Sequence, residues 1–395
     1  MKRKAVLVLA FLLPVGFLFF ACEKRERTNE VPADNLERSL AIDVSNLKSS
    51  DGQLLLQPLA SKNIPPRPAN VEALGEDDAL RWFDMEFAAW NADDKINPAV
   101  SPANGSIGKR VILIVHGDHP WTTSYMNGAR IAAQALGMTI DLWSPNWDIN
   151  VQNRMIDQAI NAKPDAIGLI PINAEAAVQQ FRRINQAGIP AFGTDNLTTS
   201  EAMRYMVTWT GVDDWSQMRR LARFLADTMG MSGGIAYVTH NPGTAVYFSR
   251  LFGPRTELAA YAPNIRTLDF QSPGFDSAIT QQVVSDWLTR FGNNLNAIFL
   301  ADDAAQAIGT VDALNRAGRN DVLVVAAGSS KQGMDLVAAG SLLANTYQSA
   351  EGNGAAVAKA MADFFNGKKL PVIGFLAQQD IITKANVGNF QPAQW

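Results

Sequence analysis

The chain of 395 residues has one cysteine, Cys22, and three histidines, His116, His119 and His240. A lone cysteine cannot form an internal disulfide, so the fold must be held by its apolar core. Three dispersed histidines and no paired cysteines give no His-Glu-x-x-His or Cys-x-x-Cys set, which speaks against a dedicated metal centre. There is no Gly-x-Ser-x-Gly elbow and no phosphate loop, and Gly352-x-Gly354 falls on a predicted helix start without its strand. Basic runs are also missing beyond the extreme N-terminus. With a formal net charge of −4 the chain has nothing with which to neutralise a phosphate backbone, so nucleic acid is excluded as a partner. What is present is 47% hydrophobic and 18% charged residues, enough at this length for a buried core in about two to three domains.

The first 22 residues run from Lys2, Arg3 and Lys4 through an apolar stretch, Ala5 to Phe20, to Ala21 and Cys22. This order of basic, apolar and small residues predicts a secretory signal over residues 1–21. The apolar run is shorter than the roughly 20 residues of a spanning helix, and Pro14 and Gly16 interrupt it. Phe19-Phe20-Ala21-Cys22 resembles a bacterial lipobox, with Phe19 where Leu is usual and Phe20 where a smaller residue is usual. The resemblance implies cleavage after Ala21, acylation of Cys22, and anchorage to the bacterial cell membrane facing the periplasm or exterior. Residues 22–108, with Pro32, Pro58, Pro65, Pro66, Pro68, Pro98 and Pro102 among polar residues, read as a tether. Within it Leu80, Phe83, Phe87 and Trp90 predict one helix over 77–91, packed by its apolar face on the main body.

After Lys109 short β-branched runs alternate with stretches of helical period. Strands are expected at 111–115, 139–143, 166–170, 191–194, 235–239, 266–270, 297–300, 322–326 and 342–347. Apolar strands separated by helices predict an α/β fold of parallel sheets covered on both faces. A weak internal duplication divides the series: Val111 to Val115 runs into His116, and Ile235 to Thr239 into His240, each before a loop and a helix. Each reads as the first strand of its own sheet. Two such sheets make two lobes, with a cleft between the C-terminal ends of their strands.

Several segments in order carry a closer resemblance: Ala162-Lys163-Pro164-Asp165-Ala166-Ile167, Ala187-Gly188-Ile189-Pro190-Ala191-Phe192-Gly193-Thr194-Asp195, Gly211-Val212-Asp213-Asp214, Asp302-Asp303, Ala317-Gly318-Arg319, and Ile382-Thr383-Lys384-Ala385-Asn386-Val387. From Lys109 onward the chain resembles the periplasmic sugar-binding proteins of ABC importers, of the ribose- and galactose-binding type. The resemblance implies two doubly wound parallel-sheet lobes, 109–211 plus 349–376 and 212–348 plus 377–395, joined by a hinge of three crossings. It implies a monomer without cofactor that closes on a small sugar or polyol, performs no chemistry, and delivers it to a membrane permease. The lactose-repressor family shares the fold, but its helix-turn-helix is missing here.

Sugar capture needs flat apolar surface for C–H faces and fixed polar groups for hydroxyls. By resemblance, Trp121 and Phe275 supply the aromatic surfaces. Asp195, Arg250, Asp302 and Gln348 supply polar contacts, with Asn173, Asn196, His119 and His240 as further candidates. Gly328 stands where the family usually has Asp, Thr122 replaces a second stacking aromatic, and Asn196 replaces a frequent Arg, so pentose, deoxysugar, polyol and furanose-like ligands all stay open. Three other readings stand beside this one. The histidines with Asp118 could hold zinc, Asp195 and Asp302 could be the carboxylate pair of a glycoside hydrolase, and the closed form could dock on a chemoreceptor or sensor kinase.

Overall fold

A computed structural model describes residues 34–91, 94–377 and 380–395. Residues 1–33, with the expected signal and Cys22, lie outside the described residues. Thirteen strands are described: β1 (Leu59–Ala60), β2 (Arg110–Ile114), β3 (Thr139–Trp143), β4 (Ala166–Leu169), β5 (Ala191–Thr194), β6 (Thr208–Gly211), β7 (Ser232–Val238), β8 (Asn264–Gln271), β9 (Ala297–Leu300), β10 (Leu323–Ala326), β11 (Ala344–Thr346), β12 (Ile373–Leu376) and β13 (Ile381–Thr383). They form two sheets, ordered β1-β12-β6-β5-β4-β2-β3 and β13-β11-β10-β9-β7-β8. Every pairing is parallel except β1 on β12 and β13 on β11.

Strand alternation explains why both faces are covered. Along β2, Val111 and Leu113 join a core with the helices Pro120–Ala135 and Ala350–Phe365, while Ile112 and Ile114 face a separate core with Ile149–Ala162 and Ala174–Gln186. The second sheet repeats the scheme. Ala236, Val238, Ile298 and Leu300 pack with Ser277–Phe291 and Ala305–Ala317, and Ile235, Tyr237, Ala297 and Phe299 pack with Asp214–Thr228 and Ala245–Tyr261. Period-2 burial on both sides is the mark of a doubly wound sheet. Strands β2 and β7 fall in different sheets, as the duplication suggested. The chain passes between lobes after β6, after β11 and after β12.

Strands β6 and β12 escaped the sequence reading. Thr208-Trp209-Thr210-Gly211 is short and polar at alternate positions, and Gly374 interrupts Ile373–Leu376. Both are nevertheless buried throughout, because they lie in the sheet interior.

The expected tether is not an open linker over its described part. Leu55, Phe83, Phe87 and Ala89 are buried, and β1 adds an antiparallel strand to the first sheet. Nor is 77–91 one helix: it breaks into a 3-10 turn Ala79–Trp82, a short helix Phe83–Glu86 and a second turn Ala88–Asn91. The cause is that its aromatics serve different lobes. Trp82 stacks on Phe252 of the second, with ring centroids 3.5 Å apart, and Trp90 meets Phe375 of the first at 5.3 Å. A straight helix presents one stripe and cannot do both.

Candidate functional site

The loops after β2, β5, β7 and β9 carry His119, Asp195, Asn196, His240 and Asp302, five of the ten expected ligand-binding side chains. After β2, the ring of His116 is buried edge-on to Trp147 (centroids 4.3 Å apart) and Trp121 (6.0 Å). His119 caps the helix Pro120–Ala135: its Nδ1 accepts the Trp121 amide at 3.1 Å, which places the ring proton on Nε2. Trp121 stacks on buried Tyr125 at 5.2 Å, and the Tyr125 hydroxyl donates to Thr194 Oγ1 at 2.9 Å, next to Asp195.

Asp195 follows β5 with φ +61°, a left-handed conformation that Asp tolerates better than most residues. Its amide donates to the Thr210 carbonyl, and Oδ1 accepts from Asn353 Nδ2 at 2.9 Å. Burial first, and the charge of Asp214 second, raise its carboxyl to about 7; Arg250 and Asn353 pull the other way.

From the second lobe, Arg250 donates to the Ala301 carbonyl (2.7 Å), Asp214 Oδ1 (3.1 Å) and Gln348 Oε1 (3.2 Å). Gln348 Nε2 donates in turn to Asp214 Oδ1 at 3.0 Å and Gln217 Oε1 at 3.2 Å. The guanidinium is thus locked beside the first two hinge crossings, and its charge still acts on Asp195 of the other lobe and on Asp302 of its own. Asp302 is buried after β9, where Oδ2 accepts the amides of Ala304 and Gln306; burial raises its pKa. His240 Nδ1 shares a proton with Thr244 Oγ1 at 3.0 Å, and its ring meets half-exposed Phe275 edge-on at 4.9 Å. Burial pushes His116 and His240 down to about 3; His119 lowers His116 further, Arg250 and then His116 across the lobes lower His240, and the charge of Asp302 across the lobes works against the burial that lowers His119. Residues that follow β5 and residues of the second lobe line one crevice, so strand ends of the two sheets lie face to face.

Two expected contacts are committed elsewhere. Asn173 Oδ1 caps the helix Ala174–Gln186 by accepting from Glu175 and Ala176 amides at 2.9 Å. Asn196 Nδ2 donates to the Pro171 carbonyl at 2.9 Å, tying the loops after β4 and β5. Neither side chain joins the group around Asp195. Two residues without an assigned role do: Asp214, whose motif was legible at Gly211-Val212-Asp213-Asp214, and Asn353, hidden in the Gly-rich start of an apolar helix. Beside Asp195 a crevice of about 380 Å³, its open mouth included, is lined by Asp214, Trp215, Ser249 and Trp209. Among the described residues no group of three or more His, Cys, Asp or Glu is placed to hold a metal ion. Asp118, the acid of the zinc reading, instead accepts from Ser144 Oγ at 2.5 Å.

The absence of Asp at 328 has a local cause. Gly328 has φ +126°, and a Cβ there would lie 2.4 Å from Asp303 Oδ1. Asp303 fills that space, accepting from Ser330 N (2.8 Å) and Asn345 Nδ2 (2.9 Å), and burial raises it to about 8.

Comparison with known proteins agrees with this architecture. A family model described as "Periplasmic binding protein domain" matches residues 110–369. The chain is 25% identical over 288 residues to a xylitol-binding protein of Mycolicibacterium smegmatis, covering 72% of this chain and 80% of that one. It is 23% identical over 279 residues to the ribose import binding protein of Escherichia coli K12, covering 69% and 90%. A solved ABC transporter solute-binding protein from Bacillus halodurans C-125, with bound myo-inositol, superposes with a TM-score of 0.66 at 19% identity, over 73% of this chain and 99% of that one. Two doubly wound lobes with facing strand ends, and a family match over most of the chain, give one conclusion: the chain belongs to the periplasmic binding protein family.

Proposed function

We propose that this protein is the solute-binding lipoprotein of an ABC importer, which captures a small neutral sugar or polyol between its lobes and passes it unchanged to a membrane permease. The observation that carries this reading is the position of Arg250, locked in one lobe with its charge acting on Asp195 of the other. A carboxylate with a free oxygen, a fixed guanidinium and the half-covered ring of Trp121 suit hydroxyls on one edge of a ligand and C–H groups on its face. The lobes are 109–211 with 349–376, and 212–348 with 377–395. The signal, the lipid on Cys22, the outward-facing membrane location and the monomeric state complete the proposal, and the lipobox resemblance supports the anchor. Family relatives are binding proteins, and no catalytic role is assigned to Asp195 or Asp302.

Thermal melting of the protein with xylitol, myo-inositol, ribose and other monosaccharides is the test, since a ligand of the folded state raises its stability by mass action. A rise with at least one neutral polyol or sugar is expected. Silence across the panel, or release of phenol from aryl glycosides, contradicts the proposal.

A further inference from the structure

The segment 34–108 lies wholly before residue 110, where the family match begins, and it grips both lobes. On the first lobe, β1 pairs with β12, Lys95 Nζ donates to the carbonyls of Met203 and Met206, and Ser106 Oγ donates to the Leu136 carbonyl. On the second lobe, Trp82 stacks on Phe252, Arg255 pairs with Asp77 at 2.9 Å, and Glu86 takes two 2.6 Å hydrogen bonds from Arg219. Between these, Lys62 bridges Glu86 (2.5 Å) and Asp213 (3.0 Å) at the first hinge crossing. Near the second crossing, Tyr347 donates to Asp51 Oδ2 at 2.5 Å while the Ser50 amide donates to Glu351 Oε2 at 2.6 Å.

We propose that residues 34–108 are a clamp that holds the two lobes together across the hinge and narrows the range over which the cleft opens. The Glu86 carboxylate is fully buried between Arg219 and the clamp's own Lys62, so pulling the second lobe away breaks its two hydrogen bonds from Arg219 and leaves it only Lys62. Rupture of such a buried, doubly hydrogen-bonded ion pair costs more than rupture of an exposed one. Letting go of the first lobe instead breaks the β1 ladder and the bonds from Lys95. Neither lobe is free to swing away from the segment. The consequence for binding is preorganisation: a ligand that needs the closed form meets a population already biased toward it, and less of its affinity is lost to closure. This inference is independent of the ligand's identity.

The test is an inter-lobe distance distribution by double electron–electron resonance, on the full chain without added ligand. Spin labels go on Asn150→Cys and Ala278→Cys, both exposed at the cleft-facing starts of helices in opposite lobes, in a Cys22→Ser background. The clamped protein is expected to give one narrow distribution. Glu86→Gln and Trp82→Ala should broaden it toward longer distances by several ångström. The exposed pair Glu76→Gln with Asp77→Asn endangers no core and should give a smaller shift in the same direction. A broad wild-type distribution, or distributions unchanged in all these variants, overturns the clamp.

Discussion

Asp195, at the end of β5, and Asn353, on the helix Ala350–Phe365, are joined by a 2.9 Å hydrogen bond that engages one carboxylate oxygen. Among the described residues the other oxygen takes no hydrogen bond. The residue therefore enters the cleft aligned and half satisfied, which suits an acceptor awaiting a ligand hydroxyl.

The two aromatics separate binding from stability. Phe275 is 45% exposed and its ring meets His240 edge-on, so Phe275→Ala should leave stability within about 0.5 kcal/mol. Affinity should nevertheless fall about 2- to 10-fold through the lost ring face. Trp121→Ala, which also uncovers Tyr125, should weaken binding further and lower stability by about 1–3 kcal/mol. Paired calorimetric titration and denaturant melts check both; unchanged affinity in Phe275→Ala removes that residue from the site.

Acid and alkaline stability have opposite sources. His116 and His240, pushed down to about 3, stay neutral in the folded chain while the unfolded chain takes up protons near 6.5. Their contribution is therefore lost as pH falls from about 6.5 toward 3, by at most about 1.4 kcal/mol per pH unit for each. Asp303, raised to about 8, holds a proton that the unfolded chain releases near 4, so its penalty grows as pH rises from about 4 to 8. In urea melts His240→Gln should flatten the acid limb, and Asp303→Asn should gain on wild type most at pH 8. Parallel pH curves for variants and wild type would show these assignments to be wrong.

Backbone contact between two helices fixes the first lobe. A Cβ on Gly128 would lie 1.9 Å from the Glu351 carbonyl oxygen, and one on Gly354 1.9 Å from that of Tyr125. Neither neighbour is a flexible side chain that can move aside. Gly128→Ala and Gly354→Ala should each cost more than about 3 kcal/mol. A loss under about 1 kcal/mol in both would mean that the helices separate freely.

Gly328 tests why the family's usual aspartate is missing. Gly328→Asp must adopt φ +126° against Asp303 Oδ1, so it should lower stability by about 2 kcal/mol or more and restore no binding function. Thermal melting of Gly328→Asp beside Gly328→Asp with Asp303→Gly measures the obstruction by Asp303: with that carboxyl gone, part of the loss should return, and no recovery would leave the left-handed backbone at 328 as the cause.

Much of the fold was legible because β2, β4, β5 and β9 are apolar runs with turns at their ends and helical stretches between them. The strand-end positions of Asp195, Asp302 and His240 were legible too, since each follows such a run. What stayed hidden depends on long-range partners. The hydrogen bonds of Asn196 Nδ2 to Pro171 and of Asn173 Oδ1 to a helix start were not legible, because an amide near a strand end carries no local sign of such partners. Proline-rich 22–108 read as a tether because the buried contacts of its described part, such as Glu86 with Arg219, lie more than a hundred residues away in sequence. Leu80, Phe83, Phe87 and Trp90 keep helical spacing although Trp82 and Trp90 serve different lobes, and spacing alone cannot say that a chain must bend.

The central measurement is isothermal titration of wild type and Asp195→Ala, side by side, with whichever neutral polyol or sugar most raises the melting temperature. One ligand per chain is expected for wild type. At pH 8, above the value of about 7 to which the Asp195 carboxyl is raised, loss of a charge-assisted hydrogen bond worth about 1.5–3 kcal/mol in Asp195→Ala should weaken binding by roughly 10- to 150-fold, with the fold intact by circular dichroism. Equal affinity in the two proteins would contradict a ligand held at Asp195 between the lobes.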